Sequence, residues 1–151
     1  MSRCILIASD FPLYEVAPPR EYPLHINLDT GTVFDGNADD NYFLLSLPEA
    51  ADYTHKKYGV SLEWYYTEGR AMRLIGNIKD FLREADSVEL WCVWLGDFFE
   101  FEDRPFIHRK KISIDELSPE HVREIDSAEI WNTPDKQYPE RPSFYCLTIT
   151  R

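Results

Sequence analysis

Glycine is scarce in this chain, six residues of 151. Loops that cradle phosphate are glycine-rich because the backbone must approach the ligand closely. Neither GxGxxG nor GxxxxGK followed by Ser or Thr occurs. No GxSxG elbow is present, so that route to an activated serine is closed. Cysteine is limited to Cys4, Cys92 and Cys146, an odd count with no CxxC and no Cys/His spacing of a zinc site. This usage suits a reducing compartment better than a disulfide scaffold. The histidines, His25, His55, His108 and His121, form no i, i+4 pair and no HExxH. No metal and no cofactor is therefore expected, and no catalytic residue is assigned.

Long apolar runs are missing as well. No stretch approaches the ~20 apolar residues of a membrane helix. The apolar start, Cys4 to Ala8, ends at Asp10. It is too short for a signal-peptide core plus cleavage region and reads as a strand. A cytoplasmic location without membrane contact is the expectation. Positive charge is also in deficit: 16 Lys and Arg face 27 Asp and Glu, a net charge of −11 with pI near 4.7. The excess is spread along the chain, −6 over residues 1–66 and −5 over 67–151, so no acidic tail explains it. Direct binding to a nucleic-acid backbone is disfavoured, because phosphate contacts need clustered Lys and Arg. A basic protein would be attracted.

What the chain has in plenty is aromatic residues, 15% of the total. These fill cores and anchor interfaces. At 151 residues a single domain, residues 1–151, is expected. Such a chain can bury about two thirds of its unfolded surface, enough to hold a core without disulfides or metal.

The pattern of elements predicts an α+β fold with a mainly antiparallel sheet and two or three helices. Cys4–Ser9 reads as a first strand, and prolines 12, 18, 19 and 23 forbid regular structure after it. Residues 24–28 and 32–34 flank Asp29-Thr30-Gly31 as a hairpin. The polar loop 35–41 offers oxygen ligands at 35, 37 and 39. However, Asp40 stands where an EF-hand needs Gly and Ser46 where it needs Glu, so a solvated turn is expected. A short strand follows at 42–45. Ser46, Pro48 and Glu49 suggest a helix start running to about Tyr58. Residues 60–66 alternate as a strand, with Val60, Leu62, Trp64 and Tyr66 inward.

Thr67 caps the clearest helix, about Glu68 to Ala85. Its apolar stripe is Ala71, Ile75, Ile78, Leu82 and Ala85, widened by Met72, Leu74 and Phe81, with Arg70 on another face. Residues 87–95 are apolar on both faces and suggest a central strand covered on both sides. Phe106–Ile114 is a strand bearing the basic cluster His108–Lys111. Pro119 opens a short helix to about Ile125. Residues 128–131 form a possible short strand, 133–142 a loop, and 143–150 a C-terminal strand. From residue 60 the order is βαββαβ, which suggests a ferredoxin-like sheet with an N-terminal β extension.

Gly96-Asp97-Phe98-Phe99-Glu100-Phe101-Glu102-Asp103 stands out. Four carboxylates and three phenylalanines follow the most apolar stretch of the chain, with no base until Arg104. If the segment is extended, Phe99 and Phe101 point one way and the acids the other. Glu100 and Glu102 then lie roughly 6.6 Å apart, a separation at which paired carboxylates can divide acid and base roles. With every catalytic motif absent, the stronger expectation is a non-enzymatic interaction domain. Asp97, Phe98, Phe99, Glu100, Phe101, Glu102 and Asp103, helped by Asp35, Asp39 and Asp40, would bind a basic partner. The aromatics would anchor and the acids would speed encounter. An immunity- or antitoxin-like protein covering the cationic cleft of a nuclease is one concrete form. The alternative is a small-ligand binder or enzyme with a pocket between sheet and helices, drawing on His25, Tyr65, Asp97 and His108. A homodimer burying its own aromatics is a third expectation. Cys92, inside a buried strand, is expected to be an inert thiol.

Overall fold

The computed structural model describes residues 2–15, 25–29, 32–34, 43–46, 51–63, 66–126 and 141–151. The architecture is α+β. Eight strands are described: β1 (Ser2–Ser9), β2 (His25–Asn27), β3 (Thr32–Phe34), β4 (Phe43–Ser46), β5 (Tyr58–Glu63), β6 (Ser87–Leu95), β7 (Ile107–Ser113) and β8 (Phe144–Thr150). Three helices join them: α1 (Glu68–Phe81), the one-turn α2 (Asp97–Glu100) and α3 (Pro119–Asp126). Six strands form one sheet in the order β4-β5-β1-β6-β8-β7, and β2 pairs with β3 as the expected hairpin. Every pair in the large sheet is antiparallel except β7 with β8.

With the one-turn α2 set aside the βαββαβ order is present, but its strands do not interleave as a ferredoxin-like sheet would. β5 and β6 run parallel with β1 inserted between them, while β7 and β8 lie side by side. The N-terminal strand, expected to extend the sheet, sits in its middle. Its composition explains the place: Ile5, Leu6, Ile7 and Ala8 are all buried, which an edge strand would not permit.

Strand alternation sends apolar residues to both faces. Ile5 and Ile7, Val88, Leu90 and Cys92, and Tyr145, Leu147 and Ile149 form one face of the core under Leu74 and Ile78 of α1 and Val122 and Ile125 of α3. Leu6, Ala8, Trp91, Val93, Phe144 and Cys146 form a second buried cluster on the opposite face. β6 is thereby covered on both sides, as its sequence predicts.

Thr67 caps α1 as expected, its Oγ1 accepting from the Arg70 amide at 3.1 Å. The helix stops at Phe81, four residues short of expectation, although the turns beyond it still bury Leu82 and Ala85. Two assignments on this helix reverse: Met72 is 55% exposed, and Arg70 is 3% exposed. α3 begins with Pro119 as expected. Its third residue, His121, accepts the Ser118 amide at Nδ1 (3.2 Å), the reciprocal half of a capping box with imidazole in place of a carboxylate.

Among the described residues of the stretch from Ser46 to Tyr58 the expected helix is not found; residues 47–50 lie outside them. Ser46 ends β4, residues 51–53 make a single tight turn, and Tyr58 already belongs to β5. Thr54 gives a physical reason why residues 54–56 are not helical. Its Oγ1 accepts the Lys56 amide at 3.1 Å, a local bond that competes with helix formation, and it donates to Glu89 Oε2 at 2.6 Å. The possible calcium loop and the possible strand at 128–131 lie outside the described residues, as do Trp64 and Tyr65.

Candidate functional site

β6 leaves the core at Gly96, whose φ of +90° turns the chain in a left-handed conformation. Glycine takes this conformation without the steric cost that a Cβ imposes. The next four residues wind into α2, so the acidic run begins as a compact turn, and the condition that it be extended is not met. The proposed alternation of phenylalanines against acids over 99–102 is lost with it, and so is the spacing on which carboxylate catalysis depended.

Asp97 decides the geometry. It is 3% exposed and meets Arg141, also 3% exposed, through two bonds: Nε to Oδ1 at 3.0 Å and Nη2 to Oδ2 at 2.6 Å. The same Nη2 donates to the Asp103 carbonyl at 2.6 Å, and the guanidinium lies 4.4 Å from the centroid of the Phe101 ring. One arginine therefore ties the beginning of the run to its end. A bidentate pair of this kind is short and strongly directional because both partners are charged. Desolvation consumes much of the attraction, so its larger effect is to fix one conformation.

Four other residues of the run face outward. Phe99 is 82% exposed, and Glu100, Glu102 and Asp103 are exposed around it, while Phe101 is half-buried beneath Arg141. Phe106 is 52% exposed and meets the His108 ring edge-on at 4.7 Å. Just before the turn, Trp91 is buried and Trp94 half-buried in the second core cluster.

Beside the turn lies a pocket of about 360 Å³. Asp97, Phe101, Glu102 and Asp103 contribute from the run, and Asp52 and Tyr53 from the segment before β5. Phe144 and Ile107 form apolar lining from β8 and β7, Tyr53 packing against Phe144 at 5.6 Å. This pocket is on the face of the sheet opposite α1 and α3. Between the sheet and helices α1 and α3, where the alternative reading places a ligand pocket, the described side chains of the first core cluster are packed together.

The other candidate groups are dispersed. His108 lies on β7, and Asp97 is committed to Arg141. His25 contributes its backbone to β2, while Tyr65, Asp35, Asp39 and Asp40 are outside the described residues. Among the described residues no group of three or more His, Cys, Asp or Glu side chains is placed to hold a metal ion. Burial pushes the thiols of Cys92 and Cys146 up to about 12, which makes both poor nucleophiles. Neither Arg141 nor Asp52 and Tyr53 was singled out by the sequence. Arg141 is 44 residues from Asp97, and a lone arginine beside prolines carries no signal of an ion pair. No family model, curated protein or solved structure matches this chain. No helix among the described residues is long and apolar enough to cross a membrane.

Proposed function

We propose that this protein is a non-enzymatic, acidic protein-interaction domain that binds a basic protein through the Gly96–Asp103 turn. The observation that carries the reading is Phe99: a large apolar side chain, 82% exposed, held on a turn locked by a buried ion pair. A preorganised aromatic loses little freedom on binding and can serve as an anchor. Glu100, Glu102 and Asp103 around it supply the negative field that draws in a cationic partner. A net charge of −11 extends that field over the whole molecule.

An immunity- or antitoxin-like role suits this design, the acidic turn covering the cationic cleft of a nuclease. A reducing, cytoplasmic setting belongs to the same proposal, in keeping with three cysteines that form no disulfide. The test is capture of basic proteins from an extract of the source organism on immobilised wild type and on a Glu100→Lys/Glu102→Lys variant. Retention by wild type that is lost on charge reversal supports the reading; retention that survives it refutes it. Size-exclusion measurement of the free protein separates this from self-association: a dimer that Phe99→Ala converts to monomer would mean that Phe99 serves a second copy of the chain.

A further inference from the structure

We propose that the pocket beside the turn is a receptor for an arginine side chain of the basic partner. This rests on the interaction reading and names its specificity site. The pocket measures about 360 Å³, ample for one long side chain. Its charge is lopsided: with Asp97 neutralised by Arg141, Asp52, Glu102 and Asp103 stand against Arg104 alone. Its other walls are flat rings, Tyr53, Phe101 and Phe144.

Carboxylates together with aromatic faces favour guanidinium over ammonium. A guanidinium is planar, less strongly hydrated, stacks on rings and forks onto carboxylates, whereas an ammonium is a compact, tightly hydrated point charge. The fold already demonstrates the chemistry next door. Arg141 is held between the Asp97 carboxylate and the Phe101 ring, and both residues also line the pocket. The apolar floor formed by Ile107 and Phe144 would cover the methylene stem of an entering arginine. Phe99 and the pocket then read different features of one partner: an apolar depression and an adjacent arginine.

The experiment is a titration of the isotope-labelled full chain with N-acetyl-arginine-amide, followed by amide chemical shifts. N-acetyl-citrulline-amide, the neutral near-isostere, and N-acetyl-lysine-amide are the controls. The inference expects saturable shifts at residues 52–53 and 101–105, absent with citrulline and weaker with lysine. It expects about tenfold weaker binding in a Glu102→Gln/Asp103→Asn variant, whose altered side chains are exposed and whose Asp103 carbonyl still accepts from Arg141. Equal shifts with citrulline, or no shift at these residues, would overturn it. The two readings fail separately. Capture of a basic partner that depends on Phe99, without arginine binding here, removes the pocket and keeps the interface. Arginine binding without any Phe99-dependent partner removes the interface; the pocket would then recognise a free guanidinium compound, contrary to the partner arginine proposed.

Discussion

Arg141 carries more of the site than any residue of the acidic run. Removing it leaves the Asp97 carboxylate buried without its countercharge, a change that costs about 3–5 kcal/mol in comparable pairs. Arg141→Met should therefore lower the urea midpoint sharply. Asp97→Leu combined with Arg141→Met should cost less than the sum of the two single changes, since no isolated charge remains. Additive losses would show that the two residues act independently. The thiols give a second test at this scale. Burial raises Cys92 and Cys146 from an ordinary 9.0 to about 12. A group whose folded pKa is raised favours folding fully below its unfolded value, and the advantage is lost as pH rises through the folded one. Stability to urea should thus fall from about pH 9 toward pH 12 and be indifferent to these groups at pH 7 to 8. In native protein at pH 8, a thiol reagent should spare Cys92 and Cys146 and reach them only after unfolding. Prompt labelling of either would contradict the packing described.

The decisive element is the turn that Gly96 opens. A Cβ on Gly96 would meet only the Phe99 ring, at 4.0 Å, so space does not forbid a side chain there. The cost of Gly96→Ala is instead that of a left-handed backbone, about 1–2 kcal/mol. It should appear as a lower urea midpoint with faster hydrogen exchange confined to the 96–101 amides. Exchange unchanged at those amides would mean that the turn does not depend on this conformation. The long elements were legible in the sequence because each has a period that only one structure satisfies. Residues 87–95 are apolar on both faces and became a strand covered on both faces. The stripe from Ala71 to Ile78 became the buried side of α1. Elements decided by single side chains were not legible. Thr54 diverts its hydroxyl to the Lys56 amide and to Glu89, and residues 51–58, expected to be helical, form a turn and the start of a strand. The run 97–103 has the alternation of an edge strand, but Gly96 and the pull of Arg141 on Asp97 wind it into a helical turn. The place of β1 was equally hidden, because sheet order depends on pairing partners distant in the chain.

At the scale of the whole molecule, two separate requirements meet. Of the acidic run, Phe99 and the carboxylates at 100, 102 and 103 are left outside the core, while Asp97 is buried and Phe101 is half-buried. Burying a phenylalanine typically contributes about 1.5–3 kcal/mol, so leaving Phe99 exposed forgoes stabilisation that a partner can recover. The excess of negative charge makes association with a cationic protein dependent on ionic strength, because exposed charges are screened beyond about 10 Å at 0.1 M salt. The central claim is that Phe99 is an anchor for a basic partner and not a misplaced core residue. The most direct measurement is the amount of basic protein retained from extract by immobilised Phe99→Ala relative to wild type, at low salt and at matched stability. The account predicts that retention falls at least about tenfold, as hot-spot truncations commonly do, while the urea midpoint stays that of wild type. Equal retention by the two proteins would contradict it.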